Sequence, residues 1–225
     1  MDSRELSSPP AGWLRQLGPR LRTLWGWKLT GTTVGMTVFF VVYFRLLHHP
    51  LFPLTIMPLT AVDRWIEFRP AALVLYASLW FYVSLAPALL VDRRELVSYG
   101  LAAVVLSAIG LGIFLLWPTA VPASDLAWPR HSFFSVLQKV DASGNACPSL
   151  HVAFAVFSAI WFERILREMN AGGLARGVNG LWCLGILYST IAIRQHVALD
   201  VLAGAMLGAV VAALHLRILR AAPTA

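Results

Sequence analysis

The chain has 225 residues, of which 58% are hydrophobic and only 13% are charged, and its formal net charge is +7. This composition lies outside the range of soluble globular domains and indicates a membrane protein. The basic residues are dispersed over short segments without a basic face or a recognition motif, so the charge does not predict a nucleic-acid partner.

The first 28 residues predict a cytoplasmic arm that carries an interfacial amphipathic helix. Apolar side chains recur there at roughly helical spacing among arginines, at Trp13, Leu14, Leu17, Leu21 and Leu24. This pattern is typical of a helix that lies in the inner membrane interface. A solvated, disordered arm is the alternative. Residues 29–220 are expected to form one membrane domain.

Six apolar segments follow, and we expect each to cross a hydrocarbon core of ~30 Å, the later ones with polar residues at their ends. They cover residues 29–47, 71–91, 97–117, 146–162, 177–193 and 197–216. The prediction is an all-α, multi-pass membrane helix bundle of about six transmembrane spans, with both termini on the same side. Twelve of the 18 lysines and arginines are then cytoplasmic if the N-terminus is, which favours that orientation.

Glycines four residues apart occur in the first and the sixth span. Gly31 and Gly35, and likewise Gly204 and Gly208, have the spacing that lets helices approach closely in lipid. Asp200 lies four residues before Gly204, on the same helix face. The sixth span is therefore expected to present a carboxylate to the interior of the bundle.

Two segments between the spans are long, and both lie on the outer side in this topology. Residues 48–70 contain TAVDRWIEFRP, in which Thr60 and Asp63 resemble a helix start. Residues 118–149 are rich in proline, serine and aspartate, and Asn145 is a candidate cap for the helix that begins near Pro148. The inner segments are short and basic. Function is therefore expected to face outward.

Polar side chains at the outer ends of the fourth and sixth spans predict a reactive site. The stretch CPSLHVAFAVF places Ser149 and His151 at the start of an apolar run, where a histidine costs desolvation free energy unless it is paired or wet. In STIAIRQHVALDVLAG, His196 and Asp200 share a helix face, so the carboxylate can orient the imidazole. Arg194 offers a planar cation suited to phosphate. Because both helices begin on the outer side, we expect these side chains to act together on a lipid phosphate.

The PSLH motif at residues 148–151, followed by His196 and Asp200, resembles the type-2 phosphatidic acid phosphatase superfamily. The closest likeness is to the branch of inositol phosphorylceramide synthases and related bacterial membrane proteins, in which leucine replaces the glycine of the PSGH pattern. The resemblance covers roughly residues 118–208. It implies that His196 is the nucleophile, that Asp200 orients it, and that His151 protonates the leaving oxygen and then activates water or an alcohol. It also implies that Ser149 and Arg194 hold phosphate oxygens.

Two basic motifs of that superfamily are incomplete in this chain. Thr190 occupies the usual arginine position six residues before the nucleophile, and Val62 occupies the lysine position of the first motif. Arg130 and Lys139, on the segment before PSLH, are therefore the candidates that complete the phosphate site.

These features predict a membrane lipid phosphatase that hydrolyses a lipid phosphate or diphosphate through a phosphohistidine intermediate. We expect it in the plasma (inner) membrane, with cytoplasmic termini and an active site facing outside. A head-group phosphotransferase similar to inositol phosphorylceramide synthases is the alternative. A transporter that uses His196 and Asp200 as a proton relay is disfavoured, since such charges usually lie near the membrane midplane. A zinc enzyme is a further alternative.

No cofactor or metal is expected. The expected partners are the lipid phosphate substrate and the bilayer, and the oligomeric state is left open.

Overall fold

The computed structural model describes residues 12–122 and 144–221. Helices make up 77% of the structure, which confirms the all-α class. In chain order they are α1 (Trp13–Arg22), α2 (Trp25–His48), α3 (Ala61–Trp65), α4 (Leu73–Ala77), α5 (Leu79–Leu89), α6 (Arg93–Leu116), α7 (Leu150–Glu168), α8 (Gly173–Ala192) and α9 (Ala198–Ala221). A 3₁₀ turn, Pro70–Ala72, precedes α4. Two short strands, β1 (Thr55–Ile56) and β2 (Thr119–Ala120), pair in parallel and join the segment that follows α2 to the segment that follows α6.

Four helical segments in the described residues are long and apolar enough to cross a membrane: Trp25–His48, Pro70–Leu89, Arg93–Leu116 and Ala198–Ala221. They coincide with the first, second, third and sixth predicted spans and begin within four residues of the predicted positions. Helices α7 and α8 lie where the fourth and fifth spans were predicted and have 19 and 20 residues, but they are not among these four. The count of six spans therefore stays a prediction.

Apolar side chains cover the outside of the helices as well as the core. Large residues with more than half of their surface exposed include Val34, Val38 and Val41 on α2 and Leu181 and Leu184 on α8. An apolar surface this extensive is unfavourable in water and is suited to lipid. The exposed faces of these helices therefore support a membrane protein.

Polar residues start two of the helices, one as predicted and one not. Thr60 and Asp63 form a capping box at the start of α3, which confirms the predicted helix start. At the start of α7 the cap is Ser149, whose Oγ accepts a hydrogen bond from the backbone N–H of Val152 at 3.3 Å. The prediction for Asn145 is wrong, because its side-chain amide donates instead to a backbone carbonyl of α2.

Helix α7 lies in the centre of the bundle and packs closely against α9. At Gly204 and Gly208 of α9, an added Cβ would overlap backbone carbonyl oxygens at the start of α7. These glycines therefore let the two backbones touch, as predicted. Among the described residues, nothing lies where a Cβ of Gly31 or Gly35 of α2 would be, so this pair makes no such contact there. The same spacing makes a helix contact only where a second helix lies against it.

Helix α1 confirms that the first 28 residues contain a helix and contacts the ends of α5 and α7. The side chains of Gln16 and Arg20 donate to the backbone carbonyls of Met169 and Leu89, each at 3.2 Å. The Nζ of Lys28 donates to the carbonyl of Ala88 at 2.6 Å. These contacts are at the C-terminal ends of α5 and α7, whereas His151 is in the first turn of α7. The interfacial position of α1 stays a prediction.

Candidate active site

Side chains from α7, α9 and the turn between α8 and α9 meet at one end of the bundle. The Nε2 atom of His196 is 3.5 Å from the Nδ1 atom of His151. The Nδ1 atom of His196 is 3.6 Å from the Oδ2 atom of Asp200. The structure thus brings together the three side chains to which the sequence analysis gave chemical roles, although 45 residues separate the two histidines.

Asp200 is fully buried and ties the start of α9 to the start of α7. Its Oδ2 accepts a hydrogen bond from the backbone N–H of Val197 at 3.1 Å, and its backbone carbonyl accepts one from Ser149 at 3.0 Å. Within residues 12–122 and 144–221, Asp200 Oδ1 and His196 Nδ1 have no hydrogen-bond partner. The 3.6 Å separation is too long for a hydrogen bond. Contacts between catalytic groups of enzymes are often long without substrate and tighten when it binds.

The turn that carries His196 is built around a residue with left-handed backbone geometry. Arg194 has φ = 61°, which is uncommon for a residue with a bulky side chain. The carbonyl of Thr190 accepts hydrogen bonds from the N–H groups of Gln195 and His196 at 3.0 and 3.1 Å. These bonds end α8 and fix the backbone of His196.

The segment around α3 contacts this turn from the other side. The Arg194 guanidinium donates to the carbonyls of Asp63 and Ile66 at 2.6 and 2.8 Å. The Asp63 side chain, only 2% exposed, accepts from the N–H of Ala198 at 2.7 Å and from Thr60. We refer to the Arg194 and Asp63 contacts together as the Asp63–Arg194 clamp. The sequence analysis recognised the helix start at Asp63 but not this clamp.

Two aromatic residues complete the surroundings of His151, and the sequence analysis missed both. The Tyr76 hydroxyl is 2.8 Å from His151 Nε2, and the two ring centroids are 4.9 Å apart. The Trp80 ring approaches His151 edge-on, with centroids 6.1 Å apart. In the sequence both lie in an apolar span, where an aromatic residue is usually part of the core. No sequence signal separated them from the other aromatic residues.

The predicted phosphate-binding side chains differ in their placement. Ser149 is buried and its Oγ serves as the cap of α7. Arg194 is engaged in the clamp, although a guanidinium has further N–H donors. Arg130 and Lys139 lie outside the described residues. The phosphate role of these four residues stays a prediction.

The described residues contain no group of three or more His, Cys, Asp or Glu side chains placed to hold a metal ion. The two hydroxyls before the turn, Ser189 and Thr190, are buried and donate to carbonyls of their own helix. The polar groups that remain for chemistry at this end of the described bundle are therefore centred on His151 and His196.

Comparison with protein families identifies the class. The profile of the PAP2 superfamily matches residues 68–223, which is more than half of the chain and includes His151, His196 and Asp200. The chain belongs to the PAP2 superfamily. Members of this superfamily are phosphatases, and the membership suggests phosphatase or phosphotransferase activity. No curated protein and no solved structure matches the chain, and the branch of inositol phosphorylceramide synthases is not confirmed.

Proposed function

We propose that this protein is a membrane lipid phosphatase that hydrolyses a lipid phosphate or diphosphate through a phosphohistidine intermediate. The observation that carries the proposal is the row formed by the Asp200 carboxylate, the His196 ring and the His151 ring at one end of an apolar bundle. A carboxylate, a nucleophile and an acid in this order are the groups that nucleophilic phosphoryl transfer requires.

In the first step His196 attacks phosphorus. Because His196 Nδ1 faces Asp200, the Nε2 atom is left to form the new N–P bond. The P–O bond to the lipid leaving group breaks. His151 Nδ1, which is 3.5 Å from the attacking nitrogen, gives its proton to the departing oxygen. Asp200 stabilises the positive charge that develops on His196.

In the second step the phosphohistidine is hydrolysed. His151 Nδ1 takes a proton from water, the water oxygen bonds to phosphorus, and the P–N bond breaks to release phosphate and neutral His196. An alcohol in place of water would give a new phosphate monoester, or a phosphodiester where the group carried by His196 is itself an esterified head-group phosphate. The head-group phosphotransferase is therefore the second candidate, and it uses the same two histidines.

The membrane arrangement completes the proposal. The first turn of α7 is a favourable place for an anion, because helix N-termini present N–H groups and positive dipole ends. Ser149, Arg194, Arg130 and Lys139 are proposed to bind phosphate oxygens there. With six spans and a cytoplasmic N-terminus, twelve of the 18 lysines and arginines are cytoplasmic, and in this proposed topology the site faces outside the plasma (inner) membrane.

The test is to offer purified protein a panel of lipid phosphates and diphosphates, with and without alcohol acceptors. Free phosphate and lipid products are both measured. We expect phosphate release to dominate, and His196→Ala to lose at least ~1,000-fold in turnover. His48→Ala is the matched control, because His48 is an exposed histidine that contacts its own helix.

Near-normal turnover in His196→Ala would contradict the mechanism. Lipid product that forms only when an alcohol is present would favour the phosphotransferase.

A further inference from the structure

The two ring nitrogens of His151 have different neighbours, and one of these is Tyr76. Its Nε2 atom is 2.8 Å from the Tyr76 hydroxyl, and its Nδ1 atom is 3.5 Å from His196 Nε2. The nitrogen facing the nucleophile is therefore Nδ1, and the nitrogen facing away is held by a buried phenol. The two nitrogens of a neutral histidine are chemically distinct, and the hydrogen bond made by one sets the role of the other.

We infer that Tyr76 is a positioning residue whose hydroxyl oxygen accepts a hydrogen bond from Nε2–H of His151, so that Nδ1 is the nitrogen that exchanges protons with the substrate. This inference rests on the proposed phosphatase chemistry and assigns one further residue to it. Tyr76 itself contacts neither phosphorus nor the leaving oxygen in this assignment.

The proton transfers balance with this arrangement. Before the first step His151 carries protons on both nitrogens, and Nε2–H donates to Tyr76. Nδ1–H then passes to the leaving oxygen, and His151 remains neutral with its proton on Nε2. In the second step Nδ1 takes a proton from water while that oxygen bonds to phosphorus. Nε2–H stays bonded to Tyr76 throughout, so the working nitrogen never changes.

The surroundings of Tyr76 suit a fixed partner. Tyr76 is 3% exposed and packs in a small apolar cluster with Leu73, Ala192 and Ile193. Ala192 and Ile193 directly precede Arg194, and the backbone N–H of Arg69 donates to the carbonyl of Ala192 at 2.9 Å. The phenol is thus held by the same piece of chain that carries His196. A hydroxyl fixed in this way can hold the ring of His151 in one orientation.

The test removes only the hydroxyl, in Tyr76→Phe, and compares two substrates by kcat/KM. One is an alkyl lipid phosphate, whose leaving oxygen needs a proton. The other is an aryl phosphate with an acidic leaving group, which needs none. We expect about a tenfold loss on the alkyl substrate, the size of one well-placed hydrogen bond, and less than about a twofold loss on the aryl substrate.

Two further measurements separate positioning from simple packing. In a protein that already carries His151→Ala, adding Tyr76→Phe should not lower kcat/KM further. A residue that acts through His151 has no effect when His151 is absent. The control is Tyr82→Phe, since Tyr82 is an equally buried phenol of the neighbouring helix α5 that donates to Asn179 at 2.6 Å. Its effect should be equal on both substrates.

The tautomer of His151 provides a readout that needs no Tyr76 variant. In protein with ¹⁵N-labelled histidine, the signals of His151 are identified by their loss in His151→Ala. We expect the neutral ring of the wild type to carry its proton on Nε2. A proton on Nδ1 in the neutral ring would overturn the inference, even if Tyr76→Phe failed to fold.

The outcomes distinguish this inference from the proposed function. Equal losses on both substrates, or losses that add to those of His151→Ala, would make Tyr76 a packing residue while the phosphatase mechanism stands. If wild-type protein released no phosphate from either substrate, the proposed function would fail, and the role of Tyr76 would fail with it.

Discussion

Replacement of Gly204 by alanine tests whether the contact between α7 and α9 sets the distance between the two histidines. A Cβ at this position would overlap the backbone carbonyl oxygen of Ser149. The two atoms would be much closer than the 3.4–4 Å of an ordinary van der Waals contact. The carbonyl belongs to the backbone and cannot rotate away. Helix α9 must therefore move away from α7 by roughly 1 Å.

That movement acts directly on the site. The hydrogen bond from the N–H of Ser149 to the carbonyl of Asp200, 3.0 Å long, lies next to the contact and would be stretched. The gap between His151 and His196 would widen beyond 3.5 Å. A misplacement of about 1 Å can cost ~100-fold in turnover. Overpacking costs about 1–3 kcal/mol, which for a chain of this size lowers Tm by about 2–12 °C.

The assay measures phosphate release and thermal unfolding of the purified protein in detergent. Gly31→Ala is the matched control, because the same substitution there enters open space and replaces glycine by a better helix former. The control should keep wild-type turnover and an equal or higher Tm. If Gly204→Ala also kept wild-type turnover, the close contact between α7 and α9 would not position the histidines, and the reasoning would be refuted.

Four further predictions concern sidedness, the clamp, the phosphate site and metal dependence. Both native cysteines are buried, so sidedness is best tested in a cysteine-free background with cysteine at Trp65 or at Leu174, which are 87% and 85% exposed. An impermeant thiol reagent added to intact cells should label the first and not the second, and the opposite pattern would invert the topology. Asp63→Asn should destabilise the protein by about 1–3 kcal/mol, because an amide cannot accept from all of the donors that the carboxylate serves. Glu67→Gln, in an exposed ion pair of the same segment, should change stability by less than about 0.5 kcal/mol, and equal effects of the two changes would contradict the clamp. Lys139→Ala should raise KM for a lipid phosphate more than it lowers kcat, and an unchanged KM would remove Lys139 from the proposed phosphate site. Activity should persist in chelator, whereas a loss that zinc restores would favour the zinc enzyme.

The three central side chains could be predicted because their placement follows from simple rules. His196 and Asp200 are four residues apart on one helix, and a carboxylate at that spacing shares a face with the imidazole. His151 was expected close to them because the alternating direction of the predicted spans makes the fourth and the sixth span begin on the same side of the membrane. Neither inference requires knowledge of side-chain packing, so the sequence was sufficient to predict that these three side chains lie together.

The rest of the site depends on contacts that have no signature in the sequence. Arg194 donates to backbone carbonyls more than 120 residues earlier in the chain, and any residue type can supply such an acceptor. Tyr76 differs from a core tyrosine only by what lies next to its hydroxyl. The glycine pairs of α2 and α9 share one spacing, but α7 lies against one of them and open space lies beside the other. Such differences arise from how the helices pack.

The charges of the described site bear on the proposed role of residues outside it. Asp63 and Asp200 are buried carboxylates, and Arg194 is the cation nearest to His196 in the sequence. The carbonyls that bind Arg194 are neutral, so these two hydrogen bonds do not themselves neutralise its charge. Together with one protonated histidine, the Arg194 guanidinium equals the two carboxylates in charge, so these four groups alone have no net positive charge to offset a phosphate dianion. Arg130 and Lys139 are the arginine and the lysine of segment 123–143, which precedes the PSLH motif and also contains Asp125 and Asp141. Their proposed role in holding the phosphate therefore rests on their proximity to the motif in the sequence and on the need of a phosphate dianion for cationic partners.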